Sequence, residues 1–104
     1  MAWLMLLVAG VLEVVWAFWM KQSEGFTRVI PTAITLVTMI GSFALLSLSM
    51  RTLPLGTAYI IWTGIGAVGA FLVGIVLLGE PLSATRILAA LLIVAGLVLM
   101  KAAS

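Results

Sequence analysis

Apolar residues run along this chain in four long blocks, each broken by a short cluster of charged, hydroxylic, glycine or proline residues. The first block, residues 2–20, closes at Lys21-Gln22-Ser23-Glu24-Gly25. The second, 29–50, carries no formal charge and ends at Arg51, Thr52 and Pro54. Its Pro31 falls in the first turn, where a missing N–H costs little. The third, 55–78, stops at Gly79-Glu80-Pro81, a helix terminator by chemistry. The fourth, 83–100, starts at Ser83, a residue suited to capping, with Arg86 near its start able to snorkel outward. A helix that crosses a bilayer needs about 20 mainly apolar residues, at about 1.5 Å each. The pattern therefore predicts an all-α membrane protein with a single domain over 1–104, four transmembrane helices per chain and no room for a soluble domain. The run 2–20 lacks a basic start and a small-x-small site, and Glu13 interrupts it, so a retained helix is expected and not a cleaved signal.

Composition removes most other classes. Of 104 residues, 65% are hydrophobic and 8% charged, and the mean hydropathy is +1.42. Soluble domains average about 45–50% apolar and about 25% charged, so soluble enzymes and disordered linkers are excluded. There is no cysteine and no histidine, which removes disulfides, thiolate metal sites and the commonest metal ligand. No cofactor, no metal and no enzymatic chemistry are expected. The net charge of +2 is small and scattered, which argues against nucleic acid. With four spans, Arg51 and Lys101 lie on the side of both ends of the chain, and Lys21, Arg28 and Arg86 lie on the other. That balance nearly abolishes the positive-inside bias, as for a chain that inserts in both orientations.

The unusual residue is Glu13. It lies deep in the first block, about 16 Å from its start at helical rise and near the middle of a hydrocarbon core about 30 Å thick. A carboxyl group there costs a few kcal/mol, so it is expected to face a cavity or a partner. A purely structural role, as a protonated group hydrogen-bonded between helices, is the competing reading. A functional Glu13 holds either a proton or an organic cation, and not readily both. Gly10 and Ala17 share its helical face and leave space beside it, and Trp16, three residues on, is placed to donate its indole N–H to the carboxylate. Trp3 and Trp19 suit the interfacial belt instead.

The second block places Thr35, Thr38, Ser42 and Ser49 on one face. Such hydroxyls satisfy their own backbone or tie helices together, and the central Ser42 is the candidate for contact with a ligand or with Glu13. The third block opens with Tyr59 and Trp62 on one face, both able to attract cations. There follows Gly64-Ile65-Gly66-Ala67-Val68-Gly69-Ala70, then Gly74. Nothing here is a strand-to-helix turn, so a dinucleotide loop is excluded. Gly66, Ala70 and Gly74 make a ridge for close helix approach. Gly64, Gly66 and Gly69 are candidates for packing or for a hinge. The fourth block has no polar residue between Arg86 and Lys101, while Ala89, Ala90, Ala95 and Gly96 offer close-packing points. That helix is expected at an oligomer interface. A single four-helix chain is too small to enclose a path and present alternate openings, and it shows no internal repeat; two copies inserted oppositely would supply an inverted pair around a midplane site.

Glu13-Val14-Val15-Trp16, Lys21 with Gly25-Phe26, and above all the run Pro54-Leu55-Gly56-Thr57-Ala58-Tyr59-Ile60-Ile61-Trp62-Thr63-Gly64-Ile65-Gly66 resemble the small multidrug resistance family over essentially the whole chain. Glu-Val-Val-Trp, Gly-Thr-Ala-Tyr and Trp-Thr-Gly are similar to its guanidinium-exporter branch more than to its quaternary-ammonium branch, while Phe18-Trp19-Met20 and Gln22 depart from it. The resemblance implies a multi-pass protein of the bacterial inner membrane, working as an antiparallel, dual-topology homodimer that exports guanidinium-type cations in exchange for protons. It implies that Glu13 binds proton and substrate, with Trp16, Ser42, Tyr59 and Trp62 around it. A guanidinium ion suits a carboxylate, being planar, permanently charged and able to form two parallel hydrogen bonds. Met39 and Phe43 offer soft walls for a substituent. The residues also admit a broad exporter of quaternary or aromatic cations, and, from another class, an ion channel or a structural membrane subunit.

Overall fold

Each helix ends where backbone chemistry ends it. A computed structural model describes residues 1–104 as α1 (Ala2–Gln22), α2 (Val29–Ser49), α3 (Leu55–Leu78) and α4 (Ala84–Ala102). All four are long and apolar enough to cross a membrane. α1 continues two residues past its apolar block, through Lys21 and Gln22, because a cation in the last turn complements the carbonyl end of the helix. It stops at Ser23, a buried residue whose hydroxyl donates to the Met20 carbonyl at 2.6 Å and accepts the Phe26 N–H at 3.0 Å. The next three residues, Glu24, Gly25 and Phe26, all have positive φ, which reverses the chain tightly into α2. Pro54 precedes α3. At the other end of α3, Gly79 adopts the left-handed conformation at φ 67°, and the Glu80 N–H closes on the Gly74 carbonyl at 3.0 Å, satisfying an end carbonyl in the way glycine-terminated helices do. The Ser83 hydroxyl accepts the Arg86 N–H at 3.2 Å, so Ser83 caps α4 and helical residues begin at Ala84. Arg86 also donates to the Pro81 carbonyl at 2.6 Å and lies over the Phe71 ring.

α1 sits at the centre, packed against α2 and α3, whereas the α4 backbone approaches α3 alone and reaches α1 through Lys101, whose ammonium lies over the Trp3 ring. The resulting body measures 40 × 35 × 16 Å. Helices with their side chains are about 10–12 Å across, so the short dimension is no more than two helices deep. The core is small: Leu6, Ala9, Leu46, Ala58, Ile61 and Trp62. No α4 residue is buried. Where α3 meets its neighbours, large side chains lie on glycines: Ile65 on Gly10, Val14 on Gly69 and Leu97 on Gly64. Small residues at such crossings bring backbones close enough for dispersion to hold them in lipid. α3 is helical without interruption through the Gly64–Gly66 pair.

The turn chemistry gives a direct test. Gly79→Ala places a side chain on a left-handed backbone and is expected to cost about 1 kcal/mol. Gly56→Ala, at a helical position with open space, is expected to be neutral or slightly stabilising. Reversible unfolding in mixed micelles measures both, and equal effects would contradict the assigned conformation of Gly79.

Candidate functional site

α1 carries Glu13 on the side that meets α3, and the carboxyl group lies directly over Gly66, where any Cβ would overlap it. The absence of a side chain at 66 is thus what makes room for the acid. Burial leaves the Glu13 Oε1 enclosed and without a hydrogen-bond partner. One turn later the Trp16 Nε1 is also enclosed and unpartnered. The hydrogen bond expected between them is not formed, because the spacing that puts both on one helix face does not aim the indole N–H at the carboxyl. Both polar atoms are thus left buried without a partner. Buried polar atoms without partners are uncommon, and each marks either strain or a ligand position.

Ser42 occupies the junction of three helices. Its hydroxyl donates to the Ala9 carbonyl at 2.7 Å and accepts the Trp62 indole N–H at 3.0 Å. Ala9 is the residue whose carbonyl the helical pattern offers to the Glu13 amide, four residues on. Ser42 and Trp62 thus hold, from α2 and α3, the turn of α1 that carries the acid, without touching its carboxyl. The other hydroxyls of the α2 face serve their own helix: Thr35 donates to Pro31 at 2.8 Å, Thr38 to Ile34 at 2.8 Å and Ser49 to Leu46 at 2.7 Å.

Aromatic rings continue from there in one row. Trp16 meets Phe43 edge-on with centroids 6.3 Å apart, Phe43 meets Trp62 at 5.6 Å, and Trp62 meets Tyr59 at 5.7 Å. Phe43 and Tyr59 are exposed on the protomer surface. The fold therefore brings Trp16, Ser42, Tyr59 and Trp62 into one continuous group around the Glu13 turn. Gly64 and Gly69 lie apart from it, under Leu97 and Val14. Two members were not evident as site residues from the pattern of the chain. Gly66 read as part of a packing ridge, although its spacing gives no sign of the carboxyl that covers it. Phe43 read as a wall, yet it joins Trp16 to Trp62.

This arrangement can take a cation. A carboxylate accepts N–H donors strongly, aromatic faces attract positive charge, and a bare carboxylate at mid-membrane is costly unless a proton or a cation neutralises it. An indole N–H only donates, so Trp16 can steady an acceptor such as Glu13 but cannot bond a guest's own N–H groups.

Residues 1–102 match the family model described as Small Multidrug Resistance protein. Among characterised relatives, the chain is 58% identical over 101 residues to a protein of Citrobacter freundii named guanidinium exporter, covering 97% of this chain and 96% of the relative. The guanidinium exporter of Salmonella typhimurium is similar to the same extent. That of Yersinia pseudotuberculosis serotype I is 56% identical over 104 residues, with both chains covered completely.

The Ser42 junction predicts a measurable coupling. In a double-mutant cycle of Ser42→Ala and Trp62→Phe, unfolding in mixed micelles is expected to give an interaction energy of about 0.5–1.5 kcal/mol, the range for hydrogen bonds between membrane helices. Strict additivity would show that the bond does not form.

Proposed function

Because the chain belongs to the small multidrug resistance family, we propose that this multi-pass membrane protein exports guanidinium and small substituted guanidinium cations in exchange for protons, the two competing for Glu13. The observation that carries the proposal is the buried, unpartnered Oε1 of Glu13, half-way along an apolar helix long enough to cross a membrane. Such a group needs a positive neighbour or a proton, and the protomer supplies no side-chain partner to it. A guanidinium ion answers the need with two parallel N–H donors, and its flat face suits the aromatic row of Trp16, Phe43, Trp62 and Tyr59. The names of the relatives support the same substrate class. Exchange follows from occupancy: a proton arriving at Glu13 removes the charge that holds the cation, and a cation bound there keeps the proton off.

The working unit in this proposal is an antiparallel homodimer. A body 16 Å thick cannot surround a path, and the near balance of cationic side chains between the two ends gives no fixed orientation. Two opposed copies would bring two Glu13 turns and two aromatic rows to one midplane site, opened to each side in turn. Gly64, Gly66 and Gly69 would then lie along the α1–α3 and α3–α4 contacts that shift during alternating access.

Two experiments test this reading. In proteoliposomes, an imposed pH gradient is expected to drive guanidinium uptake, and Glu13→Gln is expected to reduce it to the level of protein-free vesicles. Uptake by Glu13→Gln at the unmodified rate would indicate a passive channel, and preference for tetraalkylammonium would assign a broader exporter. Separately, two lysines inserted between Arg51 and Pro54 are expected to force one orientation and to reduce transport. Full transport by that single-orientation variant would contradict the antiparallel dimer.

A further inference from the structure

A second carboxyl group is seated on α3. Glu80 follows the left-handed Gly79 that ends the helix, and its side chain folds back over Gly74, where any Cβ would overlap it. Glu13 lies over Gly66 in the same manner. At about 1.5 Å per residue the two seats are about 12 Å apart along the helix. They belong to one stripe of α3, formed by Tyr59, Thr63, Gly66, Ala70 and Gly74 at intervals of four, three, four and four residues. Tyr59 and Thr63 are exposed on the protomer and bring hydroxyls, and the three residues that follow have little or no side chain. The stripe therefore runs from the aromatic row, past the mid-helix acid, to the end where α3 stops.

Electrostatics make that end an unusual place for an anion. The carbonyl end of a helix is its negative end, and its last carbonyls have no partner within the helix. A cation suits such a position, yet no basic residue stands in the last turn of α3. The cations at this end of the molecule are Lys21, Arg28 and Arg86, and Glu24 is the other acid. Arg86 donates to the Pro81 carbonyl at 2.6 Å and covers the Phe71 ring. Arg28 donates to the Gln22 carbonyl at 3.4 Å. Lys21 is exposed in the last turn of α1. The Glu80 carboxyl and the end carbonyls of α3 thus form a negative locus, while Arg28 and Arg86 are both engaged with carbonyls elsewhere.

We propose that Glu80 is a second binding residue for the transported cation. It takes a guanidinium guest at the membrane surface, where its carboxyl and the end carbonyls of α3 accept the guest's N–H groups. The stripe of hydroxylic and small residues leads from there to Glu13. The inference rests on the transport reading and extends it. In an antiparallel pair the two Glu80 ends lie on opposite faces of the membrane, so each face presents one such residue to an arriving or departing cation. An opposite charge at the mouth of a path raises the rate of capture, and salt screens the effect.

Initial rates of gradient-driven guanidinium uptake in proteoliposomes, measured against guanidinium concentration at low and at high salt, test it. At low salt Glu80→Gln is expected to raise KM about tenfold, the lower end of what electrostatic focusing achieves, with a much smaller change in kcat. At about 1 M salt, where charges are screened within about 3 Å, the difference should largely vanish. Glu80→Asp should recover part of the loss. Gly74→Ala, which displaces the carboxyl from its seat and keeps its charge, should raise KM in the same direction. Glu24→Gln removes an exposed carboxylate from the same end and should leave KM unchanged. Circular dichroism checks that the variants keep their helical content. While the unmodified protein transports, an unchanged KM in Glu80→Gln, a rise just as large at high salt, or an equal rise in Glu24→Gln would overturn this inference alone. Absence of gradient-driven uptake by the unmodified protein would overturn the transport reading, and this inference with it.

Discussion

A carboxyl group that finds no partner inside its own protomer sets the terms for the rest of this molecule. It lies half-way along an apolar helix, where lipid offers it no hydrogen bond. Space for it exists because Gly66 has no side chain. Its backbone turn is held by a hydroxyl, Ser42, that bonds the Ala9 carbonyl and is itself held by Trp62. The surrounding bonds fix the position of the acid while leaving its oxygen free. The backbone around the acid is thus tied down, while no side chain of the protomer is committed to its Oε1.

The fold that presents this acid is thin, and its asymmetry is informative. α1, α2 and α3 meet at the Ser42 junction, while the backbone of α4 approaches α3 alone and no α4 residue is buried. Three helices make the site and the fourth hangs beside it. Polar contact between helices is concentrated in the Ser42 junction, which joins residues far apart in the chain, whereas the hydroxyls of Thr35, Thr38 and Ser49 close on their own helix. In lipid, where apolar burial drives little, one such junction has more influence on helix placement than it would in water.

Much of this was legible in the chain because a bilayer imposes simple rules. Span length follows from membrane thickness, so four apolar blocks announced four helices, and their ends moved by only a few residues: α1 reached Gln22 and α4 reached Ala102 because terminal cations extend a helix that apolar counting truncates. Glu13 stood out as the one charge inside a span. What periodicity conveys is which face a residue occupies, not the rotamer it adopts. Hence the sequence puts Trp16 on the Glu13 face, yet the expected hydrogen bond between them is not formed. Ser42 was singled out, but its partner is a backbone carbonyl, and every residue has one of those. Ser23 drew no notice because a buried hydroxyl that ties a loop to a helix end leaves no repeating signature. Glu80, which reads only as part of the Gly79-Glu80-Pro81 stop, is partly covered where its carboxyl rests on Gly74.

Only 15 of the 104 residues are buried within the protomer, and this scarcity has a thermodynamic consequence. Large heat-capacity changes on unfolding arise when apolar surface passes from a dry interior into water. Here most of that surface already faces hydrocarbon, and helices that separate within a bilayer would still face hydrocarbon. The free energy of taking the bundle apart in the membrane should therefore vary almost linearly with temperature, without the domed curve and the low-temperature loss of stability that water imposes on soluble folds.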